Sequence, residues 1–327
     1  MIVPGFIDLQ INGFKGIDFS GKNLTVNDIN QVSIELLKQG TIAYCPTIIS
    51  SFLDIYKQNL PTIANARSSE KGAKILGIHI EGPFLNPENG FRGIHPKKNI
   101  IPPSINAFKK FQEWSDDNIS ILTIAPDQPG ALKLIEYAVS HSDTIISLGH
   151  HNANRETIKK AVDLGAKAAT HVGNGLNKMI HRFNNPLWPI LGEDRLYGFF
   201  ITDGFHIPDD MIKTCIRAKS VSKFIVTSDL VHLARMIPGR YVFKDANVVL
   251  ESSGYLHREG SSQLAGSTST MMECMNHLAS IGELDKEGLK KVGYENQLNL
   301  IGKDLDQKFI EKLPGISFEN NQFISKK

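Results

Sequence analysis

Short apolar runs recur along most of the chain, and each is apolar throughout instead of alternating with polar residues. This pattern is typical of parallel strands that are covered on both faces. The eight runs are residues 5–11, 41–49, 75–82, 119–126, 144–151, 166–172, 197–204 and 223–229.

Amphipathic patterns lie between most of these runs and predict helices. The clearest are residues 27–40, 131–142, 155–165 and 208–219, the last with Pro and Asp at its start and basic residues at its end. Alternating strands and helices favour a parallel α/β fold. Eight repeats within residues 5–229 favour a closed (β/α)8 TIM-type barrel over an open sheet.

The pattern changes after about residue 230. Residues 241–251 resemble one strand, and residues 264–280 form a Gly/Ser-rich entry into a helix. Residues 315–324 predict a small hairpin with two asparagines at its turn. We therefore predict a barrel domain over residues 1–312 and a short hairpin tail over residues 313–327.

Polar residues stand at or just beyond the end of most apolar runs. In (β/α)8 barrels the carboxyl ends of the strands build the active site, so this placement indicates a catalytic face. These residues are Asp8, Gln10, Asn12, Glu81, His150, His151, His171, Asp203, His206 and Asp229.

Three of these residues predict a metal site. His150 and His171 end consecutive strands, and Glu81 ends an earlier one, so two imidazoles and a carboxylate can converge and leave a position open for water. The alternative is that they are ordinary hydrogen-bonded strand-end residues. Asp229 can serve as a general base there, or else as a helix-capping or turn residue.

Composition excludes several classes of protein. Hydrophobic residues make up 41% and charged residues 21% of the 327 residues, and the net charge is +2. These values fit a globular protein and favour neither nucleic acid nor a membrane surface as partner. Three scattered cysteines favour a reducing compartment, and the N-terminus lacks the pattern of a signal peptide. We therefore expect a cytoplasmic protein.

The motifs resemble those of a known family. PGFIDLQINGF, GIHIEGPFLN, GHHNA, ATHVGNG, DGFHIP, IVTSD and LAGSTSTM, in this order, resemble the amidohydrolase superfamily and, within it, the N-acetylglucosamine-6-phosphate deacetylases. The resemblance covers roughly residues 2–280. It implies that Glu81, His150 and His171 are metal ligands, that Asp229 is the catalytic aspartate, and that His95 polarises the substrate carbonyl.

The resemblance also implies substrate-binding residues and a partner. Asn174, Gly175, Arg182 and His206 match positions that bind the amino sugar and its phosphate. Arg182 and His206 are expected to act across the interface of a homodimer. Two loops, THVGNGLN and LVHLARMIPGRY, depart from the family pattern.

Gln10 and Asn12 indicate how many metals to expect. Most members of the superfamily carry two histidines after the first strand, and these support a second metal. Amides are weak ligands for zinc by comparison, and the deacetylases share the Gln-x-Asn pair. We therefore expect one divalent metal ion per chain, with zinc as the first choice. The accessory β-sandwich of the family is expected to be absent or reduced to the tail hairpin.

The expected activity is hydrolysis of N-acetylglucosamine-6-phosphate to glucosamine-6-phosphate and acetate. One alternative is a related amidohydrolase that acts on another N-acyl compound, such as an unphosphorylated amino sugar or an N-acyl amino acid. Another is an inactive barrel that serves as a binding protein. Arg182 discriminates between the two enzyme hypotheses, because its positive charge suits an anionic substrate.

Overall fold

Eight parallel strands pair in chain order in the computed structural model, which describes residues 2–66 and 72–325. All eight predicted strands are confirmed. The first and last meet at a parallel bridge between Ile11 and Leu230, so the sheet curls into the predicted barrel. The strands, numbered β1 to β8, are Phe6–Ile11, Thr41–Ile49, Ile78–Glu81, Ile119–Ile124, Ile145–Leu148, Ala168–Ala169, Tyr197–Phe200 and Phe224–Val226.

A helix follows each strand. Capping residues set several helix starts: Thr25 forms a capping box with Asp28, and Thr270 forms another with Glu273. The four predicted barrel helices and the helix expected after residue 264 are confirmed. The helices, numbered α1 to α8, are Val26–Lys38, Leu53–Ala66, Ile105–Ser115, Ala131–His141, Arg155–Asp163, Leu187–Leu191, Asp209–Lys219 and Met271–Ile281.

Side chains join β1 to β8 where the barrel closes. Buried Asp8 accepts hydrogen bonds from the hydroxyl of Thr227 at 2.7 Å and the amide of Ser228 at 3.2 Å. The backbone amide of Asn12 also donates to the backbone carbonyl of Leu230, at 2.7 Å. These contacts fix the register of the two strands directly beside Asp229.

Apolar side chains fill the barrel. One buried cluster takes Ile7, Cys45, Ile121, Phe199 and Ile225 from five different strands. A larger cluster lies between the strands and the surrounding helices. The interior below the strand ends is therefore packed, and only the carboxyl end of the barrel can hold a substrate.

The segment expected to form one strand over residues 241–251 forms a hairpin, so that prediction is wrong. Its strands are Gly239–Phe243 and Ala246–Leu250, and a third strand, Leu256–Arg258, extends the sheet. Lys244 takes a left-handed φ of 54° at the turn, and its amine reaches Asp18 at 2.8 Å. Apolar periodicity alone did not reveal this short turn.

The tail hairpin is confirmed. Ile316–Glu319 pairs with Gln322–Ser325, and both turn asparagines have left-handed φ angles, as a tight two-residue turn requires. The N-terminal strand Ile2–Val3 joins the same sheet. The predicted boundary at residue 312 stays a prediction.

Shorter elements complete the described chain. The remaining strands, each of two residues, are Gly13–Phe14, Ile17–Asp18 and Lys74–Ile75. The remaining helical segments are Lys97–Asn99, Lys286–Lys290, Lys291–Glu295, Asn296–Ile301 and Gln307–Glu311. Among the residues described, no helix has the length and apolar character needed to cross a bilayer.

Candidate active site

Glu81, His150 and His171 converge at the carboxyl end of the barrel, as the sequence predicted. Oε1 of Glu81 lies 3.1 Å from Nε2 of His150 and 2.8 Å from Nε2 of His171. One ligand atom from each residue lies within 4.8 Å of the others, and all three residues are buried. The burial, the spacing and the N,N,O donor set fit a divalent metal ion.

The hydrogen bonds of His150 leave one of its nitrogens ready for a metal. Its Nδ1 donates to the carbonyl of Phe91 at 2.7 Å, because a carbonyl can only accept. In the neutral ring the lone pair is therefore on Nε2, which faces Glu81. Such an outer contact fixes the tautomer of a metal-binding histidine.

The carboxylate of Glu81 dominates the charges at this cluster. Burial opposes its ionisation, but the imidazoles of His150 and His171 hold the pKa of Glu81 well below its ordinary value. Burial also acts against a charged His171, yet the hydrogen bond with Glu81 raises the pKa of His171 overall. A buried negative charge surrounded by imidazoles is an attractive site for a cation.

Asp229 lies beside this cluster and lines the same cavity. Its Oδ1 accepts hydrogen bonds from the side-chain amides of Gln10 at 3.0 Å and Asn12 at 2.7 Å. Burial, and to a smaller degree the charge of Glu81, raise the pKa of Asp229 to about 7. A cation at the cluster would lower that value, and the carboxylate would then be ready to accept a proton.

His95 faces the cluster from the loop after β3. Its Nε2 lies 3.7 Å from Oε2 of Glu81. Its Nδ1 accepts from the backbone amide of Ser50 at 3.3 Å, with the hydroxyl of Ser50 at 2.9 Å. Burial and the neighbouring His150 lower the pKa of His95 to about 3, so the ring is neutral. Its proton is therefore on Nε2, where it can be donated to a substrate oxygen.

A cavity of about 530 Å³ opens above these residues, and Asn174, Gly175 and His206 line it. Nδ2 of Asn174 is buried and donates to none of the residues that the structure describes. Nδ1 of His206 lies 2.8 Å from Oδ2 of Asp203, whose pKa is lowered by this contact despite burial. Asn174 and His206 thus offer polar groups to a substrate beyond its reacting group.

Arg182 lies elsewhere. It is exposed, its guanidinium packs 5.0 Å from the ring centre of Phe183, and it does not line the cavity of its own chain. We expected Arg182 and His206 to act together across an interface. His206 lines the cavity of its own chain, and the action of the two residues across an interface stays a prediction.

Two side-chain contacts that act on the site were not predicted from the sequence. Ser50 directs His95, and Asp203 holds His206. Ser50 directly follows the second apolar run, so the strand-end argument could have included it. Asp203 was noted at a strand end, but spacing alone could not reveal that His206, three residues later, turns back to contact it.

The closed parallel sheet and its strand-end cluster define a (β/α)8-barrel protein with a buried site able to hold a metal. No family model matches the chain. It is 33% identical to N-acetylglucosamine-6-phosphate deacetylase of Caenorhabditis elegans over 294 residues, which cover 85% of this chain and 68% of that protein. It is 29% identical to the deacetylase of Bacillus subtilis across 100% of this chain and 85% of that protein.

Solved structures agree with these relatives. The deacetylase of Pasteurella multocida has a TM-score of 0.83 at 25% identity, covering 98% of this chain and 84% of that one. The enzyme of Mycobacterium smegmatis shares the fold with a TM-score of 0.84 at 21% identity, covering 92% and 79% of the two chains. The chain belongs to the N-acetylglucosamine-6-phosphate deacetylase family.

Proposed function

We propose that this chain hydrolyses the N-acetyl group of N-acetylglucosamine-6-phosphate, releasing acetate and glucosamine-6-phosphate. The observation that carries the proposal is the convergence of Glu81, His150, His171 and Asp229 on one cavity. Relatives named for this activity align over 85% or more of the chain. The enzyme belongs to amino-sugar breakdown, and we propose a cytoplasmic location.

Glu81, His150 and His171 would hold one divalent ion, with zinc as our proposal. Such an ion supplies Lewis acidity: it polarises the acyl carbonyl and acidifies the attacking water. Asp229 accepts the proton of that water and then delivers it to the departing amine. His95 donates from Nε2 to the acyl oxygen, on which negative charge develops.

We further propose a homodimer in which Arg182 reaches the substrate phosphate of the partner's site. Arg182 stands in a loop with strongly exposed apolar side chains, since Met179 is 89% and Phe183 73% exposed. Exposed apolar surface of this kind is typical of an interface. A guanidinium suits bidentate binding of phosphate.

Kinetics on two substrates test the proposed substrate. Arg182→Ala should lower kcat/KM on N-acetylglucosamine-6-phosphate by about 100-fold, since a charged, bidentate contact is lost. The same change should have little effect on unphosphorylated N-acetylglucosamine. Equal losses on both substrates would contradict phosphate recognition by Arg182 and favour the alternative N-acyl substrates.

Subunit mixing tests whether Arg182 acts across the dimer. A mixture of Asp229→Asn and Arg182→Ala chains forms heterodimers in which one site combines an intact Asp229 with an intact Arg182 from the partner. After subunit exchange, activity should rise to roughly a quarter of the wild-type value, because half of the dimers carry one good site of two. No gain over the separate variants would show that Arg182 does not act across an interface.

A further inference from the structure

Two side-chain amides converge on a single oxygen of Asp229. Nε2 of Gln10 and Nδ2 of Asn12 both donate to Oδ1, at 3.0 Å and 2.7 Å. A carboxylate oxygen has about two sites for hydrogen bonds, so these two donors occupy Oδ1. Oδ2 accepts no hydrogen bond from any residue in the described ranges 2–66 and 72–325, while the side chain of Asp229 lines the cavity.

The orientation of the two amides is determined by their surroundings. Oε1 of Gln10 and Oδ1 of Asn12 are buried and have no hydrogen-bond partner among the residues described. Turning either amide over would place its carbonyl against the carboxylate of Asp229 and gain no donor for it. Among the described residues, each side-chain amide therefore donates to Asp229 alone.

Hydrogen bonds between β1 and the residues that follow β8 hold Gln10 and Asn12 in place. The backbone amide of Asn12 donates to the carbonyl of Leu230. The carboxylate of Asp8 accepts from the hydroxyl of Thr227 and the backbone amide of Ser228. Contacts thus lock β1 to β8 on both sides of Asp229. Gln10 and Asn12 cannot shift along the strand without breaking them.

We propose that Gln10 and Asn12 are positioning residues that anchor Oδ1 of Asp229 and so assign Oδ2 as the oxygen that carries the proton. This inference rests on the proposed function. Oδ2 takes a proton as the water oxygen bonds to the acyl carbon. As the C–N bond breaks, the nitrogen keeps the bonding electrons and receives that proton. Asp229 returns to the carboxylate, and the amine and acetic acid exchange protons with solvent.

The first test removes one donor and keeps the size of the side chain. Asn12→Leu should lower kcat about 10- to 100-fold with KM within about threefold, because a lost hydrogen bond to a charged group misplaces the proton carrier. Asn59→Leu is the matched control. Asn59 also donates two hydrogen bonds, to the carbonyls of Phe19 and Gly21, and its Oδ1 is likewise buried without a described partner. The control should lose stability and keep kcat.

A double-mutant cycle separates positioning from general structure. In an Asp229→Asn background, adding Asn12→Leu should lower kcat no further, while the loss in Tm should persist. A drop in kcat of the same size in both backgrounds would overturn the inference, as would an Asn12→Leu enzyme with wild-type kcat. If Asn12→Leu does not fold, Gln10→Met serves in the same cycle.

A crystal structure tests the inference independently of turnover. In a Gln10→Met/Asn12→Leu variant the carboxylate of Asp229 should rotate by about 30° or more, or occupy several conformers. An unmoved carboxylate would overturn the inference even if the wild-type protein showed no deacetylase activity. That lack of activity would contradict only the proposed function.

Discussion

His150, His171 and Asp229 share a backbone conformation that non-glycine residues rarely adopt. Their φ angles are 53°, 29° and 51°. Each such residue costs about 1 kcal/mol or more, and such strain persists only where the surroundings enforce it. Here a left-handed residue stands just beyond β5, β6 and β8, and each of the three side chains lines the cavity. The strained backbone therefore directs these three side chains into the cavity.

Metal content is the prediction that belongs to single residues. Carefully purified protein should contain close to one equivalent of a divalent metal, and a His150→Ala/His171→Ala double variant should contain almost none. Elemental analysis measures both. His141→Ala is the control, since His141 is exposed on α4 and contacts Tyr137 of the same helix through its carbonyl and its ring. Two equivalents in the wild type, or full metal in the double variant, would contradict the site.

At the scale of elements, the loop after β6 shapes the metal site through a close approach. Gly175 has a φ of 62°, and a Cβ built there would lie 2.8 Å from Nδ1 of His150. A Cβ built on Gly93, which lies in another loop, would be 3.1 Å from Cε1 of the same ring. The two glycines leave the imidazole of His150 just enough room to keep its contact with Phe91.

Gly175→Ala should therefore displace the ring of His150 and weaken metal binding. We expect the apparent affinity to fall on the order of 10-fold or more, the cost typical of disturbing an outer contact of a metal ligand. Competition with a chelator measures it. Gly302→Ala is the matched control: its φ is 60° and a Cβ there meets nothing within 4 Å. Equal affinities in both variants would show that the contact with His150 has no influence.

Sequence patterns predicted the elements whose periodicity is visible within their own residues. All eight strands and the Glu81–His150–His171 cluster follow from apolar runs and the polar residues that end them. The Gly239–Phe243 and Ala246–Leu250 hairpin was missed because its strands continue one pattern across a short turn. The contacts of Ser50 and Asp203 depend on side-chain directions in loops, which periodicity does not report. The role proposed for Arg182 involves a second chain, which no single-chain pattern can report.

At the scale of the whole molecule, burial of one amine influences stability. Lys219 at the end of α7 is 3% exposed, and its Nζ donates to the carbonyls of Ile190 at 3.3 Å and Glu193 at 2.5 Å. Burial lowers the pKa of Lys219 to about 8 from an ordinary 10.5. Burying the charged amine therefore lowers the free energy of unfolding, and this destabilisation is complete below pH 8, where the folded chain keeps the proton. It is released as the pH rises from 8 to 10.5.

The free energy of unfolding should show this pH dependence. Relative to a Lys219→Met variant, the wild type should gain up to about 3 kcal/mol of stability over that range, because only the unfolded chain still binds the proton there. Urea denaturation of both proteins at several pH values gives the difference, in which the other titrating groups cancel. A constant difference across the range would contradict a depressed pKa for Lys219.

The seam between β1 and β8 also sets the order of events when the chain refolds. Gln10 and Asp229 are separated by 219 positions, whereas the other strand pairs of the barrel join neighbours in the chain. Long-range contacts form late because closing a long loop costs entropy. Helical circular dichroism should therefore recover before turnover does. The rate at which turnover returns would therefore report the rate at which β1 pairs with β8, the last step of folding.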